Sequence, residues 1–324
     1  MAQGTHCGAP PRLRALPMSV PDGGCNNPNR PPNRFVVVDN PAKHVRRLTF
    51  ANPGKKNALS QPLRTELYAE LIASDKDPET RVTIIRGGGE LFSAGYDLKE
   101  ADKTQNMPFF TSGGQVRGAA PNFWPAHVVE GHFFMWDLAK PVVASVHGHC
   151  LAGGTELATA CDLVYVAEDA QIGYPPTRSI SPPDMQWHPW VMGLRQSMYY
   201  MLTGDSMTGV EAVKLGFANE AVPRDRLDAR VLEVAERVAV TPPDLQMINK
   251  RAVHRQMEAM GIRNGLRAGT ELQALAMGTR TTRKWLGSMA QGGLSSALSQ
   301  RDASFGDYRT GRGGNDEGAR ASKL

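Results

Sequence analysis

Apolar residues in this chain fall into short β-branched runs separated by longer stretches with helical spacing. The runs "RFVVVD" and "VRRLTF" predict a hairpin-like pair of strands, and "VTIIRGG", "KPVVASVHG" and "DLVYVAED" predict three more, buried strands. Between them, "QPLRTELYAELIASDKD" repeats apolar positions every three or four residues and predicts a helix, as does the shorter "GGTELATAC". Strands alternating with helices imply βαβ units and a largely parallel sheet. From about Trp190 the pattern is mostly helical, over 190–202, 208–215, 224–239, 243–259 and 263–285, with a short strand in "FANEAV". The expectation is an α/β core with a helical C-terminal subdomain.

Two segments break the pattern. Residues 1–33 are dense in Pro, Gly and Asn without apolar periodicity, which predicts a disordered leader. Residues 101–137 interrupt the strand and helix order with Met, Pro, Gly-Gly and a series of aromatics from Phe109 to Trp136. These aromatics are read either as core packing under a long connection or as one wall of an apolar pocket. After Gly287 the composition turns to Gly, Ser, Arg and Asp, which predicts a loosely held tail.

Composition narrows the class without naming it. With 41% hydrophobic and 21% charged residues over 324 positions, the chain suits a globular protein with one large core. No apolar run approaches the roughly 18 residues that span a bilayer, so no membrane partner is expected. The net charge of +5 is spread along the chain and never interleaves with aromatics, so no nucleic-acid partner is expected either. The cysteines at 7, 25, 150 and 161 form no CxxC pair and are read as reduced thiols, and no metal-ligand spacing is present.

The chemistry concentrates in two stretches. "GGGELFSAGYDLKE" and "HCLAGGTELA" each leave a strand, pass through glycines and are expected to enter a helix, where the first N–H groups lack intrahelical partners. Two such termini facing one another would make an oxyanion hole, and glycine lets a ligand oxygen approach the main chain. Either turn alone is ordinary punctuation, and Glu156 alone is an ordinary first-turn acid stabilised by the helix dipole. The combination is what points to chemistry.

"NPGKKNAL", "FSAGYDLKE", "KPVVASVHGHCLAGGTELATACDLVYVAEDAQIG" and "LTGDSMTGVEAVKLGFANEAVP" resemble, in order and spacing, the successive signatures of the enoyl-CoA hydratase/isomerase (crotonase) family over about residues 35–285. The resemblance implies a crotonase-like spiral of ββα units over 34–222 and a helical trimerisation subdomain over 223–286; the leader, the 101–137 insertion and the loose tail expected from composition over 287–324 lie outside it. It further implies an acyl-CoA thioester as substrate, with coenzyme A part of that substrate and no separate cofactor, and a homotrimer or homohexamer. By resemblance, the Tyr96 and Gly153 N–H groups hold the thioester oxygen and Glu156 is the catalytic carboxylate. Lys56, Asn57, Ala58 and Ala94 contact coenzyme A on the same basis.

The family's hydratases carry a second glutamate after "FGxP"; the matching run here is "IGYPPT", with Pro176 at that position. Some dienoyl-CoA isomerases of the family carry an aspartate eight positions later, which here is Asp184. Asp184 is therefore read either as a second catalytic acid or as a cap on the following helix. His147, His149 and His188 are read as structural. The implied activity is hydration or isomerisation of an enoyl-CoA double bond. A hydrolase or lyase of the family, or a non-catalytic acyl-CoA-binding relative, are the alternatives. The expected compartment is cytoplasmic; the final Ser322-Lys323-Leu324, which matches a peroxisomal address, supplies the alternative.

Overall fold

The computed structural model describes residues 34–98 and 129–306. A six-stranded sheet runs in the order β1-β2-β3-β4-β6-β9, from β1 (Val36–Ala42) and β2 (Val45–Phe50) through β3 (Val82–Gly87), β4 (Val142–Val146) and β6 (Leu163–Ala167) to β9 (Glu220–Val222). β1 and β2 pair antiparallel, and every later neighbour is parallel. β4 is buried along its whole length and β3 almost so, because a parallel strand packed on both faces tolerates little polar surface.

A second, three-stranded sheet holds β5 (His149–Leu151), β7 (Gln171–Gly173) and β8 (Ser206–Thr208). The chain alternates between the sheets: β4, then β5, then helix α3 (Gly153–Thr159); β6, then β7, then α4 (His188–Thr203). Each passage of two strands and a helix is one turn of a spiral. The expected single strand over 140–148 ends at Val146, because Gly148 turns through a φ of +56° and delivers His149 to the second sheet.

Helix α1 (Gln61–Lys76) begins at Ser60, whose hydroxyl accepts from Leu63 N–H at 3.4 Å. It buries Leu63, Leu67 and Leu71 at four-residue spacing, and also Arg64 and Tyr68 beside them. Helices α5 (Gly209–Lys214) and α6 (Leu227–Val240) follow; α6 lays Leu227, Val231, Val234 and Ala235 across the central strands. Helix α2 (Val129–Asp137) returns the chain to β4. Phe133 and Trp136 on α2 are buried and take Arg263 over both rings, so these two aromatics are core. Phe109, Phe110, Phe123 and Trp124 lie outside the described residues, as do the leader and the final tripeptide.

Helix α7 (Pro243–Ala259) forms as expected, but the helix expected over 263–285 divides into α8 (Ile262–Met277) and α9 (Arg280–Asp302). Gly278 closes one, and Thr279 caps the other by accepting from Thr282 N–H at 3.2 Å. The chain past Gly287 is also corrected: α9 continues to Asp302, bending at Gly293, which has a φ of +77°. Asp302 is buried and pairs with Arg178 at 3.2 Å and Arg301 at 2.8 Å, while Arg178 stacks over Phe305 at 3.9 Å. This clasp holds the segment, and its partner lies 124 positions away in sequence.

Candidate active site

Two glycine turns are stitched to each other by main-chain bonds. Phe92 and Ser93 N–H groups donate to the His147 and His149 carbonyls, and Leu151 N–H donates back to Ser93. A second seam joins the 56–59 loop: Ala94 N–H donates to the Lys56 carbonyl at 3.0 Å and Leu59 N–H to Gly95 at 2.8 Å. Lys56, Ala58 and Ala94 thus sit together, with Lys56 exposed. Asn57 is fully buried, and its side-chain amide donates to the Gly88 and Leu91 carbonyls at 2.9 Å each. Its side chain is therefore committed to holding the loop.

Up to Leu98 the stretch after β3 has no helical turn, so the expected helix entry at Tyr96 is not found among the described residues. The second stretch does turn directly into a helix. Ala152 takes a φ of +51° with a ψ of −124°, an uncommon conformation for a residue with a Cβ, and Gly153 then opens α3. As the first residue of α3, Gly153 has an N–H without an intrahelical acceptor. Glycine is required at both turns. A Cβ on Gly95 would lie 3.2 Å from the Gly153 nitrogen, and a Cβ on Gly153 would lie 2.5 Å from the Tyr96 ring.

Glu156, in the first turn of α3, is wholly buried. Its Oε2 accepts from the Tyr96 hydroxyl at 2.5 Å and its Oε1 from Met185 N–H at 3.4 Å. Asp184 N–H and the Tyr174 hydroxyl also bond to this carboxylate. Burial pushes its pKa up to about 7, against the pull of these four donors. Burial also pushes the Tyr96 and Tyr174 hydroxyls well above 10, helped by the charges of Glu156 and Asp184. Both phenols thus remain protonated donors across the physiological range.

Asp184 is buried beside this cluster, where its Oδ2 accepts from Gln273 Nε2 on α8 at 3.0 Å. Helix α4 starts at His188, and its N-cap, Trp187, makes no side-chain cap bond. The structure therefore brings Glu156, Asp184, Tyr96 and Gly153 into one region and sets Lys56, Asn57, Ala58 and Ala94 along the adjoining seam. The histidines are held in the fold: His147 Nε2 lies 2.9 Å from the Gly89 carbonyl, and His188 bonds Gln186 and stacks on Trp187. Among the described residues no group of three or more His, Cys, Asp or Glu is arranged to hold a metal ion.

Sequence reading missed Tyr174, the Met185 N–H and Gln273. Tyr174 stands two positions before Pro176 in "IGYPPT", and a phenol in that otherwise apolar turn was the available signal. Nothing local marks Gln273, which reaches Asp184 across 89 positions.

A two-sheet spiral whose buried carboxylate sits one helical turn from a glycine that opens the helix has the build of the crotonase class. The chain belongs to the enoyl-CoA hydratase/isomerase family, whose model matches residues 41–289. It is similar to the hydroxycinnamoyl-CoA hydratase-lyase of Pseudomonas fluorescens, 31% identical over 203 residues, 59% of this chain and 68% of that protein. The 2,3-dehydroadipyl-CoA hydratase of Escherichia coli is 27% identical over 261 residues, 80% and 93% of the two chains. The crystal structure of an enoyl-CoA hydratase/isomerase from Xanthobacter autotrophicus matches with a TM-score of 0.74 at 29% identity, over 85% of this chain and 99% of that one. No helix among the described residues is long and apolar enough to cross a membrane.

Proposed function

We propose that this protein hydrates or isomerises the double bond of an enoyl-CoA thioester through an enolate. The observation that carries the reading is Glu156, a buried carboxyl whose pKa is held up at about 7, in the same helical turn as the Gly153 N–H. A group that is half-ionised near working pH serves as base and acid in turn.

In hydration, the Glu156 carboxylate takes a proton from water as the water oxygen bonds to the β-carbon. The double-bond electrons move to the thioester oxygen, where the Gly153 and Tyr96 N–H groups receive the developing charge. Fixed donors of this kind supply several kcal/mol that water cannot, because they need no reorganisation. Collapse of the enolate then draws a proton onto the α-carbon, from Glu156 or from a second acid. Isomerisation needs only Glu156, which takes a proton from one carbon and returns it to another. Asp184, buried next to Glu156, favours hydration, since it is a second carboxyl within the same cluster.

Lys56, Asn57, Ala58 and Ala94 are proposed to border the coenzyme A portion, Asn57 through its main chain. Coenzyme A enters as part of the substrate and no other cofactor is required. The proposed assembly is a homotrimer or homohexamer, and the proposed compartment is the cytoplasm.

The test is turnover of a panel of enoyl-CoA esters by the wild-type protein and by Glu156→Gln. Hydroxyacyl-CoA or a shifted double bond, lost in the variant, is the expected result. Release of free coenzyme A would identify a hydrolase instead. Tight binding without any turnover would identify a non-catalytic binding protein.

A further inference from the structure

Helix α8 meets the turn that carries Asp184 along one face. Ile262, Leu266, Gly269 and Thr270 are buried there at helical spacing, and Gln273 stands one turn beyond Gly269. Glycine is a poor helix former, so a glycine inside a helix needs a packing reason. Here the reason is the turn: a Cβ on Gly269 would lie 2.6 Å from the Asp184 carbonyl oxygen and 2.7 Å from that of Pro183. Gly265, one turn earlier, makes room for the Trp190 ring, which a Cβ would approach to 2.8 Å.

This close approach brings two side chains onto Asp184. Thr270 Oγ1 donates to its carbonyl at 3.1 Å, and Gln273 Nε2 donates to its Oδ2 at 3.0 Å. The N–H groups of Asp184 and Met185 both go to Glu156. The Asp184 charge also reaches the Tyr96 and Tyr174 hydroxyls, each of which bonds to Glu156. Asp184 therefore joins the two parts of the molecule: its N–H is tied to the acid of α3, and its carbonyl and carboxylate are tied to α8.

The amide of Gln273 is not there for packing. Its Oε1 is buried without a hydrogen-bond partner, and an unpaired buried carbonyl oxygen destabilises a fold. An apolar side chain of the same length would fill the space without that penalty, and local rules of this kind are broken where function requires it. We infer that Gln273 is a positioning residue for the reaction: its amide holds the Asp184 carboxylate in one orientation beside Glu156, where it serves as the second proton-handling group. This rests on the enoyl-CoA reading above and adds to the site a residue from the C-terminal helices.

The experiment measures kcat and KM of the full chain with the enoyl-CoA ester that the wild-type protein turns over fastest. Gln273→Met keeps the length of the side chain and deletes the donor. Its kcat should fall about tenfold or more with KM within about twofold, since a displaced proton-handling group slows the chemistry without loosening binding. In the Asp184→Asn background the same substitution should cost nothing further, because the group it positions is gone. Gln273→Glu also keeps the shape, and sets a second carboxyl against Asp184. Its kcat relative to wild type should be lowest at about pH 8, where the two carboxylates repel, and recover toward about pH 5, where a shared proton restores a hydrogen bond. Dividing by the wild-type rate removes the titration of Glu156, and the Tyr96 and Tyr174 phenols stay protonated throughout. This second variant decides the matter if Gln273→Met folds poorly. A bond that served the fold alone would lower the melting temperature and leave kcat unchanged. That result, a rise in KM alone, or an undiminished loss in the Asp184→Asn background would overturn the inference. Full activity of Asp184→Asn would overturn it too, while leaving the enoyl-CoA reading to stand on Glu156. If the wild-type protein turns over no ester, the enoyl-CoA reading itself fails, and the positioning role falls with it.

Discussion

Glu156 is expensive to keep at the centre of the cluster, and the expense has a sign that experiment can read. Its folded-state pKa, about 7, lies above the ordinary value of 4.5. Below pH 4.5 both folded and unfolded chains hold the proton. As pH rises through 7 the unfolded chain has released it freely while the folded chain releases it at a cost, so stability is lost across that window. Glu156→Gln should therefore melt higher than the wild type at pH 8, by about 3 °C or more, and at nearly the same temperature at pH 4. Turnover in the same variant should fall about 10²–10⁴-fold; a variant that gains stability and keeps its rate would remove Glu156 from the chemistry. The four donors act in the opposite direction, holding the pKa down. Tyr96→Phe deletes one, so the limb of the pH–rate profile governed by Glu156 should move to higher pH; movement to lower pH would contradict the hydrogen bond. Asp184→Asn keeps the shape and removes the charge, and should lower kcat with little change in melting temperature if Asp184 handles a proton. At this scale Glu156, Tyr96 and Asp184 were legible because family-like spacing marks them. The phenol of Tyr174 and the amide of Gln273 were not, because their meaning depends on packing that no local pattern records.

Among the elements, α3 depends on an approach that only glycine permits. The Cβ of Gly153→Ala would meet the Tyr96 ring at 2.5 Å, so the ring must swing away from Glu156. The expected outcome is a loss of about 10²-fold in kcat with circular dichroism unchanged, comparable to removing one oxyanion donor. An active Gly153→Ala enzyme with Tyr96 still in place would show that the close approach is dispensable. Helix α9 offers a stability counterpart. Asp302→Asn leaves the buried Arg178 short of one of its carboxylates and should cost about 3 kcal/mol, read from a urea midpoint. Trypsin should then cut faster at Arg283 or Lys284. The strands β3 and β4 and the helices α1, α6 and α7 could be read from the sequence because each is long enough to show its period. The three strands of the second sheet are three residues each, too short for alternation to register. The break between α8 and α9 was hidden by an apolar period that runs across it, although Gly278-Thr279 held the stop and the cap.

For the whole molecule, several large apolar side chains stand exposed: Leu194 and Leu202 on α4, Ile248 and Val253 on α7, Leu272 and Leu275 on α8. Surface of this kind spread over successive helices is more than a lone monomer usually leaves wet. Light scattering should give a mass three or six times that of the 35.2 kDa chain; a monomer at micromolar concentration would count against the proposed assembly. The spiral itself was legible as an α/β core followed by helices, since strand and helix periods alternate along the first two thirds of the chain. The far end was misread because Gly and Ser in "GSMAQGGLSSALSQRD" weaken helix propensity, while the force that orders it comes from Arg178 in another part of the molecule. That clasp has a mechanical consequence. Arg178 belongs to the short 3-10 turn over Pro175–Arg178, directly after Tyr174, which bonds to Glu156. Tension applied to the C-terminal end therefore enters the molecule beside its acid and bypasses the outer strands. In an optical trap, pulling from residue 306 should produce an early, low-force rip that abolishes ligand binding while the six-stranded sheet still bears load.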